Sequence, residues 1–241
     1  MEKYGLITGA SGGIGRSIAK QLAVQGYGLY LHYNKNKNAA DALAKELEKY
    51  DVPIYTLQAD FSRENAAEKV FAQLHHPIEV LIHNSGNSYI GLLTDMEDKQ
   101  VQEMIQLHLT TPILLTKRLL QNMIKNKQGN IIVVSSIWGL TGASCEVIYS
   151  TVKGGLNTFV KALAKENAPS GIYVNGIAPG AIQTNMLNEF TASELADLQE
   201  EIPMGRVGKP SEVADLVGFL TSQKASYING QIISVNGAWY C

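Results

Sequence analysis

Short runs rich in Val, Ile, Leu and Tyr recur along this 241-residue chain, and amphipathic segments of helix length separate them. That rhythm calls for a parallel sheet, because a crossover helix must carry the chain back before the next strand can pair in the same direction. Seven runs read as strands, near Tyr4 to Thr8, Gly28 to Tyr33, Pro53 to Gln58, Ile78 to Asn84, Asn130 to Ser135, Ile172 to Ile177 and Gln231 to Val235. Helical spacing marks Ile14 to Gln25, Ala39 to Tyr50, Glu64 to Leu74, Asp98 to Lys125, Tyr149 to Asn167 and Ser211 to Leu220, with Ser211 as N-cap behind Pro210. The expected class is α/β, a seven-stranded parallel sheet with helices on both faces. The length fits one domain over residues 1–241. Within it, Gly180 to Gly208 is crowded with Pro, Gly, Thr and Asn around a short helical stretch, Ser193 to Glu200, and reads as a substrate lid.

A hydrophobic content of 45% with 17% charged residues excludes a disordered or coiled-coil chain. The net charge of -2 offers no cationic surplus for nucleic acid. No stretch reaches the roughly 18 apolar residues of a membrane span, and the start lacks the apolar core of a secretory signal. Cys145 and Cys241 make no disulfide framework, so a cytoplasmic location is expected.

Behind the first strand stands Thr8-Gly9-Ala10-Ser11-Gly12-Gly13-Ile14-Gly15, opening into a helix. Glycines let the backbone turn tightly and approach a pyrophosphate, which the free N-H groups of the helix start would bind. The segment lacks the Lys-Ser/Thr ending of a nucleoside triphosphate loop. Farther on, Tyr149 and Lys153 stand four residues apart on one helix face, and the preceding strand ends at Ser135-Ser136. A nearby ammonium favours a phenolate, so Lys153 is expected to lower the Tyr149 pKa and make it a general acid, with the Ser136 hydroxyl holding a carbonyl oxygen beside it. A solvated Tyr/Lys pair on a helix surface has the same spacing.

Together, Thr8 to Gly15, the turn His83-Asn84-Ser85-Gly86, Ser136, Tyr149-x-x-x-Lys153 and Pro179-Gly180 resemble the signature of the short-chain dehydrogenase/reductase family over nearly the whole chain. Ile202-Pro203-Met204-Gly205-Arg206 and Tyr227 to Gly237 resemble most closely the 3-oxoacyl-acyl-carrier-protein reductases. The resemblance implies a Rossmann-type doubly wound sheet, a nicotinamide cofactor and a homotetramer built on two long helices and the last strand. It implies that Tyr149 protonates a ketone oxygen as the cofactor gives a hydride to the carbon, that Ser136 orients that oxygen, and that Lys153 also binds the nicotinamide ribose. It assigns Gly9, Ser11, Gly13, Ile14 and Gly15 to the pyrophosphate, and Asp60 and Phe61 to the adenine side. Asn84 and Gly86 would floor the ribose, and Pro179, Gly180, Ile182 and Thr184 would grip the carboxamide.

The second strand ends in His32-Tyr33-Asn34-Lys35-Asn36-Lys37, with no carboxylate before Asp41 for a ribose 2′-hydroxyl. Lys35 and Lys37, helped by Asn34 and Arg16, suit a 2′-phosphate, so NADP(H) is the expected cofactor; a solvated basic loop is the alternative.

Three positions depart from the family pattern. His108 replaces an Asn that helps hold a water leading from the lysine to solvent, so His108 either continues that relay or merely packs. His83 and Ser85 replace Asn and Ala around the retained Asn84. At the third, Lys125 and Lys127 keep one place where an acidic carrier protein would dock, but Pro169-Ser170 stands at the other, and Glu146 lines the expected substrate pocket. A carboxylate there suits a cationic substrate, or else answers only to the helix dipole. Some bacterial relatives resemble reductases of a 5-aminopentanone group carried on translation elongation factor P, a ketone with an amine, and this is the alternative substrate. Trp138, Met186, Leu187 and Phe190 are further pocket-wall candidates. A non-catalytic NADP-binding regulator is a second alternative. His32, His75 and His76 show no ligand spacing, and no metal is assigned.

Overall fold

The computed structural model describes residues 3–184, 187 and 190–241. Its strands are β1 (Tyr4–Ile7), β2 (Gly28–Tyr33), β3 (Ile54–Gln58), β4 (Val80–His83), β5 (Gly129–Val134), β6 (Ile172–Pro179) and β7 (Ile232–Val235). They form one parallel sheet in the order β3-β2-β1-β4-β5-β6-β7. The chain winds outward from β1 in one direction and then, starting at β4, in the other, which is the Rossmann-type arrangement expected.

Successive strand residues enter opposite cores, which explains why the strands read as continuous apolar runs. Leu6, Leu81, Ile131 and Val133 pack on one face beneath α3 (Ala66–Phe71), α5 (Thr111–Asn126) and α7 (Val147–Asn167). Ile7, Ile82, Ile132 and Val134 pack on the other beneath α1 (Gly13–Val24), α2 (Lys37–Leu47) and α9 (Pro210–Leu220).

The expected helix from Asp98 to Lys125 is interrupted. It consists of α4 (Asp98–Ile105), a π-helical turn over Gln106–Thr110, and α5. The Thr111 amide reaches back five residues to the Gln106 carbonyl, so one extra residue is accommodated in that turn. Ser211 is not the N-cap of α9; Pro210 takes the first helical position, where its missing N-H costs nothing, and the Glu212 carboxylate accepts from the Lys209 amide at 2.7 Å. The sequence reading also passed over α6 (Trp138–Thr141), a single turn too short to show periodicity. The stretch predicted from Ser193 to Glu200 is α8 (Ala192–Glu201).

Beside β7, two asparagine side chains extend the hydrogen bonding of the sheet. Asn229 Oδ1 accepts from the Val174 amide at 2.8 Å, and its Nδ2 donates to the Ile172 carbonyl at 3.0 Å. Asn175 does the same toward Gln231 and Ile228. Asn229→Ala strands the amide of Val174, a fully buried residue, and is expected to lower unfolding free energy by about 1–3 kcal/mol, read from urea titration.

Candidate active site

Where the strand order reverses, the loops after β1 and β4 separate and leave a crevice. They are tied at its base. Thr8 Oγ1 accepts from the amides of Asn84 and Ser85 at 2.9 and 3.0 Å, and Asn84 Nδ2 donates to the carbonyls of Thr8 and Gly9 at 3.1 and 3.0 Å. Gly9 takes a left-handed φ of 65° there, and any Cβ on Gly15 would collide with the Gly9 carbonyl and the Asn84 amide. With no side chain capping its N-terminal amides, α1 presents them to the cleft beside Ser11, Gly13 and Ile14. This cradle fits the pyrophosphate of a dinucleotide.

The cleft holds about 680 Å³. At its adenine end lie Asn34, Lys35 and Phe61. Two of the expected cations are committed elsewhere: Arg16 pairs with Glu46, and Lys37 pairs with Asp41 at 2.6 Å. Lys35 remains. Asp60 does not line the cleft; its carboxylate accepts from the Ser62 amide and hydroxyl at 3.0 and 2.7 Å and pairs with Arg63.

His32 carries a role that the sequence reading missed for want of a ligand-like spacing. Its buried ring lies 4.2 Å from that of Phe61. Its Nδ1 accepts from the Gly9 amide at 3.1 Å, which leaves the proton on Nε2, 2.9 Å from the Ala59 carbonyl. Burial lowers its pKa to about 4, so the ring stays neutral and keeps both bonds at physiological pH.

At the other end, Ser136 follows β5 and its hydroxyl lies beside Tyr149 on α7, where it favours the ionised phenol. Lys153 lies one turn deeper, almost fully buried, with Nζ donating to the Val134 carbonyl at 2.9 Å. Helix α7 packs this close against α6 because Gly139 of α6 has no side chain; a Cβ there would stand 2.8 Å from Lys153 backbone and Cβ. The expected lowering of the Tyr149 pKa by Lys153 is not what this geometry gives. Burial pushes the phenol up to about 12, with the nearby Ser136 hydroxyl opposing and the Glu146 charge reinforcing the rise. Burial also lowers the Lys153 ammonium to about 8.

His108 does not line the cleft but stands behind Tyr149, ring edge to face at 5.7 Å. The π turn aims it there, and Gly86 makes room, since a Cβ on Gly86 would lie 2.7 Å from the imidazole. Its Nε2 lies 2.9 Å from the Asn87 carbonyl and so carries the proton, leaving a buried Nδ1 as a bare acceptor. Burial, then the Lys153 charge, lowers its pKa to about 3.

Pro179, Gly180, Ile182 and Thr184 line the cleft below the expected lid, whose two ends are clasped where Ile182 bridges Gly208. Leu187 and Phe190 reach the cleft wall; Met186 lies outside the described residues. Trp138 and Glu146 also line it, joined by Trp239, which the sequence reading did not single out.

Because its folded pKa is depressed, Lys153 binds fewer protons in the folded than in the unfolded chain between about pH 8 and 10.5, and stability rises with pH through that window. Lys153→Met removes the buried charge. It is expected to raise unfolding free energy at pH 7 by about 3 kcal/mol, a gain that fades by pH 10.5 in urea titrations.

The model of a family described as enoyl-(acyl carrier protein) reductase matches residues 9–239. Over the full length of both chains, this one is 55% identical to the uncharacterized oxidoreductase YmfI of Bacillus subtilis (strain 168). It is 38% identical to the 3-oxoacyl-[acyl-carrier-protein] reductase FabG of Aquifex aeolicus (strain VF5), over 99% of this chain and 97% of the other. The crystal structure of YwfH, an NADPH dependent reductase involved in bacilysin biosynthesis, superposes with a TM-score of 0.91 at 25% identity, covering 100% of this chain and 99% of that one. Motif, fold and relatives agree: the chain belongs to the short-chain dehydrogenase/reductase family of oxidoreductases, close to the 3-oxoacyl-acyl-carrier-protein reductases.

Proposed function

We propose that this protein uses NADPH to reduce a ketone, borne on a protein or carrier, to a secondary alcohol. The observation that carries this reading is the convergence of Ser136 and Tyr149 on one point of the cleft, with Lys153 a turn below and the dinucleotide cradle opposite. A nicotinamide dinucleotide held with its pyrophosphate in the cradle would supply the hydride. Tyr149 keeps its proton at neutral pH, so it is loaded to donate to the ketone oxygen as charge builds there. Ser136 donates to the same oxygen and fixes its place beside the phenol. Lys153, with a pKa of about 8, is partly protonated near neutrality and restores the phenol proton by relay, with His108 Nδ1 holding the acceptor end. Lys35 provides the cation for a 2′-phosphate, and no carboxylate among the described residues lines the adenine end.

A 3-oxoacyl group on acyl carrier protein is the substrate that the carrier-protein reductase relatives favour. The aminopentanone on elongation factor P is the second reading, favoured by the Glu146 carboxylate on the cleft wall. The same reading carries one domain over residues 1–241 closed by the lid, a cytoplasmic location and a homotetramer.

NADPH consumption with each protein-borne ketone separates the two substrates; silence with both overturns the reading. Tyr149→Phe is expected to lower kcat by at least about 1,000-fold while NADPH still binds; unchanged turnover would point to a regulator that only binds the cofactor. Lys35→Ala is expected to raise KM for NADPH about tenfold and leave KM for NADH nearly unchanged, from the loss of one charge-assisted contact.

A further inference from the structure

We propose that Trp239 is a specificity-determining residue. With Trp138 it makes a rigid aromatic corner beside the ketone-binding hydroxyls, which admits a ketone with straight alkyl arms and rejects one branched next to its carbonyl. The proposal rests on the ketone-reductase reading of the cleft and states which ketones that cleft takes.

Both tryptophans of the chain stand here. Their ring centroids are 5.2 Å apart with planes at 65°, so the edge of one indole closes on the face of the other, and both line the cleft. Trp138 begins α6, two residues after Ser136, and its amide donates to Ser136 Oγ at 3.2 Å. That bond occupies a lone pair of the hydroxyl and leaves its proton free for a substrate oxygen. It also fixes one side of the corner next to the place where the ketone oxygen is held.

Trp239 is mounted as firmly, although it lies beyond the last strand. Asn236 Oδ1 accepts from the Ala238 amide and the Asn236 carbonyl from the Trp239 amide, each at 3.1 Å, while Asn236 Nδ2 donates to the Tyr240 carbonyl at 2.6 Å. Gly237 and Ala238 hold left-handed φ values of 63° and 65° in this turn, a conformation that Ala adopts only when its surroundings impose it. The turn and the end of β7 are bound in addition to both ends of the lid. The Gly180 amide donates to the Val235 carbonyl at 3.0 Å, and the Met204 amide donates to the Gly237 carbonyl at 3.2 Å. An indole on such a mount swings aside only if the base of the lid comes apart.

Apart from its oxygen a dialkyl ketone offers only apolar surface, so shape alone sorts one from another. The neighbouring wall is apolar too, built from Ile90, Leu187, Phe190 and Leu198. A straight arm lies flat along an indole face, whereas a methyl branch beside the carbonyl meets a ring that does not yield, and overpacking a rigid wall is costly. The same corner passes any straight chain, so the selection is independent of which protein carries the ketone.

The test measures NADPH consumption with dipropyl ketone and diisopropyl ketone, isomers that differ only in branching and are symmetrical, so either arm can face the corner. The readout is the ratio of kcat/KM for the straight over the branched ketone within each protein. A general loss of activity cancels in that ratio, and the intrinsic reactivities of the two ketones cancel between variants. Trp239→Ala is expected to lower the ratio by about tenfold or more from its wild-type value, and Trp239→Phe by a smaller factor. A ratio unchanged in Trp239→Ala, or in Trp239→Phe where the alanine variant does not fold, overturns the corner while the reductase reading stands. If neither ketone is consumed, tryptophan emission of the NADP-loaded protein decides, because every indole of the chain lies in the corner. Saturable quenching by dipropyl ketone at lower concentration than by diisopropyl ketone, with the difference narrowed in the same variants, supports the corner even as the reductase reading falls. Any other pattern overturns it.

Discussion

The bonds between Thr8 and Asn84 are the constraint on which the site depends. A parallel sheet that reverses its winding leaves a gap between two neighbouring loops, and without a tie those loops would diverge. The Thr8 hydroxyl takes two amides of the loop after β4, and Asn84 returns two bonds to the loop after β1. Held from below by this pair and from the side by His32, the Gly9 turn can direct the amides of α1 into the cleft. Each member of the set has little freedom: Gly9 needs its φ, Gly15 has no room for a methyl group, and His32 must remain neutral.

The reacting end is governed by desolvation. Tyr149, Lys153 and His108 are all shifted toward their neutral forms by burial, so the site stores protons on the phenol and, in part, on the lysine while the imidazole stays unprotonated. Such an arrangement lowers stability for the sake of chemistry, as buried functional groups commonly do. Glu146 is the one carboxylate on the cleft wall among the described residues, and its charge reaches Tyr149.

The seven strands were legible because burial on both faces leaves a dense apolar run, and the Gly-rich loop, Ser136, Tyr149 and Lys153 were legible because their spacing carries their geometry. What escaped depended on distant partners. His32 looks like any strand residue until the fold brings Gly9 and Ala59 to its two nitrogens. Trp239 is separated from Trp138 by a hundred residues, and only the folded chain brings their rings together. Asp60 and Arg16 had suitable chemistry in the right stretch of chain, yet nearer partners, Ser62 and Glu46, hold their charged groups. The Tyr149 pKa was misjudged in direction because a sequence displays the neighbouring charge and conceals the desolvation.

The π turn at Gln106–Thr110 gives His108 an unusual dependence on counting. One additional residue in a helix turns everything beyond it by about 100° relative to what precedes it. The imidazole therefore stands behind Tyr149 through the register of the backbone as much as through the identity of the side chain. Deletion of a single codon in this turn would restore regular α-helix and swing position 108 away from the proton donor without altering any residue that touches substrate. The phase of this helix is thus an inherited trait in its own right, able to change in one genetic step that no comparison of aligned side chains would register as a change at the site.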